Sequence, residues 1–526
     1  MSSESQMTDV GDGTKVQSQE NQPWSKIRDE EIYILNPLYR LRNSRHYVLA
    51  QGVQGLEPHR LHRATGVVLA LCNGKNTVAD IARITRPLVK IADDAKATEI
   101  AKKNVKTIIY TSRPREKRDG PPQKRSEFPA TTILITKADY DKFGLARLMH
   151  VEYRARDFLP KDSSEMGPLP ARNPREAAPV SLNWHFTSEC STDCRYCYLG
   201  RRKVKSLPKE RVLALMEEAA AIGVMDMEVN GGDILLYPHL ADVLAMLRKY
   251  KFLPTVLATK SFLGKEKAKV LAENAGFVMG VQFSIDSTVP DVADYLVGAK
   301  DFCNRVFTSI DNALEAGLCV QAKAVITPYN ILTIPKLYRD LKKRGVSTIR
   351  LATYSRSGFH HSDDLFNHAA SYQWLEEQVK QLKQEFPDDF INIQNGAPRL
   401  EPLSPGTIRE NWPKRLCCAA GRTSMMICAD GKVIPCEQMP ETEEYFCGDV
   451  SHQSIQEVWD GDRMRELTYG IPREKFKGQL CYDCEEWEEC ICQKGCCIRD
   501  LAIHEGNIYQ PPVNCPKYNR SFIRTV

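Results

Sequence analysis

The segment CSTDCRYC places Cys190, Cys194 and Cys197 within eight positions, spaced C-x3-C-x2-C. Clustered thiols at such spacing are metal ligands, and four thiolates saturate a [4Fe–4S] cluster. Three leave one iron open, which is what a reactive metal centre needs. A zinc site completed by His185 is the competing reading. Of the 18 cysteines, twelve more lie between Cys417 and Cys515, and only Cys72, Cys303 and Cys319 are scattered. Those three sit in apolar surroundings and read as ordinary buried thiols.

The remaining composition narrows the setting in which such ligands work. The chain has 526 residues, enough for about three domains, with 72 basic against 67 acidic side chains and a net charge of +5. That balance is too even for a nucleic-acid footprint. The polar N-terminus has no apolar signal segment, and no run of apolar residues is long enough to cross a membrane. A cytoplasmic location is expected, where thiols stay reduced and disulfides are disfavoured.

The elements that must position the thiols follow from hydrophobic periodicity. Residues 1–28 are polar and read as a disordered tail. Residues 29–110 form a compact pattern of short strands and helices, with a helix over Leu61–Leu71 and a second capped by Thr77. Residues 111–179, rich in charge, Pro and Gly, read as a linker and bridging region with a small strand–helix unit near 131–153. From Val180 to about 400, SLNWHF, MDMEVNGG, FLPTVLATK, FVMGVQFSID, CVQAKAVITP and TIRLATY alternate with helical stretches. Six such repeats predict an α/β fold, a partial (β/α)6 barrel whose ligands bind at the carboxyl ends of the strands. Residues 401–526 form a cysteine-rich C-terminal domain.

CSTDCRYCY resembles the signature loop of the radical S-adenosylmethionine (SAM) enzymes, with Tyr196 as the aromatic residue before the third cysteine. The resemblance implies a [4Fe–4S] cluster on Cys190, Cys194 and Cys197, with its open iron chelated by SAM. Reductive cleavage of SAM then yields a 5′-deoxyadenosyl radical that removes a hydrogen atom from a C–H bond. Gly231-Gly232-Asp233 resembles the segment that holds the methionine ammonium, with Asp in place of Glu. Ser284-Ile285-Asp286 resembles the segment that contacts the ribose.

Cys418, Gly431 and Cys436 resemble the opening of the SPASM domain, which carries two auxiliary [4Fe–4S] clusters, so three clusters are implied in all. The resemblance gives the first auxiliary cluster Cys418, Cys436 and Cys496. The second receives Cys481, Cys484, Cys490 and Cys515. Position 494 is Lys where the pattern has Cys, so Cys417, Cys428, Cys492 and Cys497 stay open as ligands. A two-residue turn at Asp430-Gly431 would point Cys428 and Cys436 to opposite faces.

Asn36-Pro37, Tyr39-Arg40-Leu41-Arg42 and Asn73–Ala82 resemble the RiPP recognition element. That winged-helix domain binds leader peptides of ribosomally synthesised, post-translationally modified peptides (RiPPs). Arg40, Arg42 and Arg45 would then favour an acidic leader. The reading as a whole is a peptide maturase, similar to the sactipeptide and ranthipeptide thioether synthases. It would crosslink a precursor peptide oxidatively, through a thioether or a C–C bond. The implied partners are the precursor peptide and an electron donor such as flavodoxin or ferredoxin, with no nucleic acid and no membrane. Maturation of a larger protein (quinone-cofactor or formylglycine type) and peptide epimerisation remain alternatives. No catalytic side chain on the substrate side is assigned; Arg350, Tyr354 and Arg356 lie near the barrel mouth.

Overall fold

The computed structural model describes residues 27–517 except 45–46, 54–55, 57, 89–90, 112–131, 161–174, 198, 200–202, 355–361, 395–405, 407–408, 411, 413–417, 438, 489, 491–507 and 512–514. The chain divides into two compact units. The first comprises Met1–Asn36, Leu61–Gly144 and Glu152–Met166; the second comprises Pro37–Arg60, Leu145–Val151 and Gly167–Val526. Among the described residues no helix is long and apolar enough to cross a membrane.

In the first unit β1 (Ile32–Leu35) runs between β5 (Asn73–Thr77) and β6 (Leu134–Thr136), antiparallel to both. Helices α1 (Arg63–Leu71), α2 (Val78–Leu88) and α3 (Asp94–Thr111) belong to this unit, and α4 (Lys137–Lys142) follows β6. Thr77 caps α2 as its sequence predicts: its Oγ1 accepts from the Asp80 amide at 3.1 Å while Asp80 accepts from the Thr77 amide at 3.1 Å. Val78, Ile81, Ala82 and Thr85 give α2 a buried face at helical spacing. The third strand, β6, comes from the stretch read as a bridging region, where the small strand–helix unit was expected.

The second unit holds a hairpin of β2 (Tyr39–Asn43) and β3 (Val48–Gly52), extended by β4 (His59–Leu61). Arg40 and Arg42 point into this unit and are not available to a leader peptide. The Arg40 guanidinium, 3% exposed, donates to the carbonyls of Pro37, Lys251 and Phe252 at 2.8, 3.0 and 3.3 Å. Arg42 donates to Pro179 O, Gly223 O and the carboxylate of Glu176. Buried Glu176 also takes the hydroxyls of Ser44 and Tyr47. Arg45 lies outside the described residues.

Six parallel strands build the barrel wall in two hydrogen-bonded sheets: β7 (Ser181–His185) with β8 (Asp226–Asn230), and β9 (Thr255–Thr259) with β10 (Val278–Ser284), β11 (Val320–Ile326) and β12 (Thr348–Thr353). The connecting helices are α5 (Lys209–Ala221), α6 (Leu240–Tyr250), α7 (Lys265–Glu273), α8 (Pro290–Val297), α9 (Phe302–Glu315) and α10 (Ile334–Lys343). After β12 come α11 (Ala369–Glu385) and β13 (Ile393–Gln394), which adds to β12 in parallel. Residues such as Trp184, Leu257, Phe283 and Leu351 are fully buried in the apolar core. Alternate positions, including Asn183, Glu228, Lys323 and Arg350, are half-buried and polar. This alternation separates an apolar outer layer from a polar barrel interior.

The cysteine-rich region does not fold apart from the barrel. Strand β14 (Ser424–Ile427) pairs in parallel with β7, with Met426 beside Asn183, and continues through β15 (Lys432–Ile434) to β16 (Gly448–Asp449). Its Ile434, Trp459 and Phe476 belong to the same core as the barrel strands. Helix Ile455–Asp460 begins in a capping box formed by Ser454 and Glu457.

Candidate functional site

The three-cysteine loop leaves β7 through residues 186–189, and the Gly231-Gly232 turn at the end of β8 is stitched to that segment. Gly232 N donates to Thr187 O and Asp233 N to Glu189 O, both at 2.7 Å. A Cβ on Gly232 would stand 2.4 Å from Glu189 O, and one on Gly231 2.8 Å from Thr187 O. The glycines are therefore required for two backbones to touch. Ser191 Oγ meets Ser261 Oγ at 2.8 Å. Asp193 N and Arg195 N donate to Val297 O and Leu296 O at the end of α8, and the Arg195 guanidinium stacks 4.0 Å over the Tyr295 ring.

Within this frame Cys190 is exposed, Cys194 buried and Cys197 half-buried. Thr192 Oγ1 lies 3.5 Å from Cys190 Sγ and 3.4 Å from Cys194 Sγ. Burial pushes the Cys197 thiol above its ordinary pKa. Among the described residues no three or more His, Cys, Asp or Glu side chains form a group that could hold a single metal ion. A cubane makes a different demand, because its thiolates sit on separate irons and stand apart. His185 contributes no zinc-like grouping. It is 4% exposed, faces Glu441 at 4.0 Å, and burial pushes its pKa down to about 4.

Asp233 is turned inward, 2% exposed. Its carboxylate accepts from Thr259 Oγ1 at 2.8 Å, Lys260 N at 2.8 Å, Ser261 N at 2.9 Å and Leu235 N at 3.1 Å. Those bonds occupy the oxygens that the resemblance assigns to the methionine ammonium.

Asp286, also buried, accepts from Val325 N at 2.8 Å and from the hydroxyl of Tyr196. Lys260 was missed in the sequence. Its ammonium donates to the Tyr196 hydroxyl, lies 3.4 Å from Asp286 and donates to Ser284 O at 3.3 Å. Burial opposes the Lys260 charge, but Asp286 and the neighbouring thiols outweigh it, so the net pKa shift is upward. A lysine directly after a barrel strand, in VLATK, was the available signal. The cysteine loop and the ends of β8, β9 and β10 thus meet at one mouth.

In the C-terminal region Cys481, Cys484, Cys490 and Cys515 line one cavity together with Trp412 and Trp487. Burial first, then the three companion thiols, push Cys481 up to about 12. Four thiols around a small space fit a four-thiolate cluster.

Cys418 and Cys436 are half-buried and flank the β14–β15 hairpin at its open end. Cys428 sits at the closed end. The register pairs Ile427 with Val433, and Cys428 N donates to Lys432 O. The turn therefore has three residues, Ala429 to Gly431, with Gly431 at φ +92°. This corrects the two-residue turn and puts Cys428 on the face of Cys436. Cys417, Cys492, Cys496 and Cys497 lie outside the described residues. Cys447 is buried just before β16, its amide donating to Val433 O, and Cys319, expected to be buried, is half-exposed beside Ser347.

Residues 184–351 match the radical SAM superfamily, and residues 417–485 match SPASM, an iron–sulfur cluster-binding domain. The chain carries both, and with them a requirement for SAM, a [4Fe–4S] cluster and auxiliary iron–sulfur clusters. It is 21% identical over 325 residues to the PqqA peptide cyclase of Gluconobacter oxydans (strain 621H), covering 60% of this chain and 86% of that protein. It is also 21% identical to the antilisterial bacteriocin subtilosin biosynthesis protein AlbA of Bacillus subtilis (strain 168), over 55% of this chain and 61% of that one. The fold resembles Streptococcus suis SuiB, with a TM-score of 0.58 at 16% identity, covering 92% of this chain and 99% of SuiB. SuiB has also been solved bound to its precursor peptide SuiA.

Proposed function

We propose that this protein is a radical SAM maturase that oxidatively crosslinks a ribosomally made precursor peptide, through a thioether or a C–C bond. The observation that carries this reading is the joining of a radical SAM barrel and a cluster-binding domain in one sheet. The relatedness to a peptide cyclase over 86% of its length supports a peptide as the substrate. Bound SAM and its cluster supply a carbon-centred radical, and the rest of the work falls to the chain itself.

In this reading Cys190, Cys194 and Cys197 ligate the SAM cluster. The Gly231-Gly232 turn offers its backbone to SAM, and Ser284 lines the same mouth. Tyr196, Lys260 and Asp286 form one hydrogen-bonded group that fixes the loop against β10. Asp233 acts as a positioning residue that holds the ends of β8 and β9 together. Cys481, Cys484, Cys490 and Cys515 hold one auxiliary cluster, and Cys418, Cys436 and Cys496 contribute to another. The first unit, with its three-stranded sheet and helices, serves as the leader-binding element, and β5 offers a sheet edge for an added strand. A flavodoxin or ferredoxin supplies electrons, and the protein works in the cytoplasm.

Coexpression with a precursor peptide, followed by mass spectrometry, tests the reaction. Loss of two hydrogens is the expected product; an unchanged mass with deuterium uptake would instead mean epimerisation. About twelve irons per chain are expected, and about four would remove the auxiliary clusters from the account.

A further inference from the structure

Four adjacent strands carry one lateral row of side chains across the barrel interior. The register places Ser284 of β10 beside Lys323 of β11, and Lys323 beside Arg350 of β12. Lys260, at the end of β9, reaches Ser284 O and completes the row. Lys323 and Arg350 therefore stand side by side on neighbouring strands, about 5 Å apart at the backbone, with Lys260 on the far side of Ser284. Like charges opposed in a sheet are unfavourable unless an anion sits between them.

Lys260 has its anion in Asp286 at 3.4 Å. Among the described residues no close ion pair or hydrogen bond reaches Lys323 or Arg350, although both are half-buried. Burial, opposed by the nearby Glu437, pushes the Lys323 pKa down, and Arg350 and Lys260 push it further. Glu437 is the anion that acts on Lys323; it lies beyond ion-pair distance, and its carboxylate accepts from Asn183 Nδ2 at 2.6 Å.

We propose that Lys323 and Arg350 clamp the carboxylate of an acidic side chain in the peptide substrate, and so select peptides with Asp or Glu near the modified residue. A planar guanidinium beside an ammonium suits a carboxylate that bridges them. Arg350 lies two strands beyond Ser284, on the side of the barrel away from the cysteine loop. The clamp thus extends from the cofactor mouth toward the space a substrate would fill. This inference rests on the peptide-maturase reading.

The test uses the full-length reconstituted enzyme and a precursor peptide in which each core Asp and Glu is changed singly to Asn or Gln. For the wild type, one such change is expected to lower the rate at least tenfold, chiefly through KM. In Arg350→Met and Lys323→Met that acid-to-amide ratio is expected to fall toward one. SAM affinity, measured by equilibrium dialysis, separates the two sources of carboxylate. If the variants lose SAM affinity tenfold while the peptide ratio is unchanged, the anion is SAM's own and the proposal is wrong. An unchanged ratio with unchanged SAM affinity also overturns it. If the wild type modifies no peptide at all, the underlying reading fails instead.

Discussion

The hydroxyl of Tyr196 donates to the carboxylate of Asp286, joining the cysteine loop to the end of β10 across 90 residues of chain. Lys260 completes the group from β9. Tyr196→Phe keeps the ring and removes the donor. A loss of about 1–3 kcal/mol is expected, because a buried carboxylate loses a partner. Thermal unfolding measures it, and Lys260→Met should cost at least as much.

Asp233 distinguishes a structural carboxylate from a ligand-binding one. Asp233→Asn leaves the buried amides of Lys260 and Ser261 competing for a weaker acceptor, so stability should fall by roughly 2–3 kcal/mol. Were the carboxylate instead the holder of the methionine ammonium, the variant would unfold normally and lose SAM affinity. Denaturant titration alongside equilibrium dialysis decides between the two.

Gly232→Ala forces a methyl group to 2.4 Å from Glu189 O. The cysteine loop must move, and the expected outcome is loss of about one cluster's iron, four atoms per chain, together with SAM cleavage. Iron analysis and 5′-deoxyadenosine release give the answer. Full iron and full cleavage would show that the two backbones need not touch.

The two kinds of thiol site are separable. Replacing Cys190, Cys194 or Cys197 with Ala should abolish SAM cleavage and leave the C-terminal clusters in place. Cys484→Ala should remove iron from the Cys481–Cys515 cavity and weaken product formation. Electron paramagnetic resonance of the reduced variants reads each cluster separately.

Glu228 predicts a pH dependence. Burial, then Asp226 and Glu437, raise its pKa from 4.5 to about 8. The folded state therefore holds this proton more tightly than the unfolded state, and stability from this group falls as pH rises between those values. Glu228→Gln cannot ionise. Its unfolding midpoint should decline less than that of the wild type from pH 5 to 8, and parallel curves would refute the assignment.

What could be read from the sequence was whatever local spacing encodes. The C-x3-C-x2-C loop, the six strand segments and the Thr77 cap all depend on residues a few positions apart. The grouping of Cys481, Cys484 and Cys490 with distant Cys515 came through resemblance, and the cavity brings those four together. Features set by distant contacts have a different origin. Arg40 looked like a surface cation, yet its bonding partners are Lys251 and Phe252, more than 200 residues away. Asp233 and Lys260 gain their partners only when strand ends converge. The hairpin turn failed by a single residue, because an Asp-Gly pair serves two- and three-residue loops alike.

The pairing of β14 with β7 has a consequence for how this enzyme could be dissected. A barrel of six strands is unclosed, and β7 would otherwise present a bare row of amides and carbonyls to any passing strand. The cysteine-bearing hairpin occupies that row. Cutting the chain before Ser424 would therefore not release a smaller working catalyst; it would uncover an adhesive seam. The cluster-binding region thus also covers an edge of the barrel sheet.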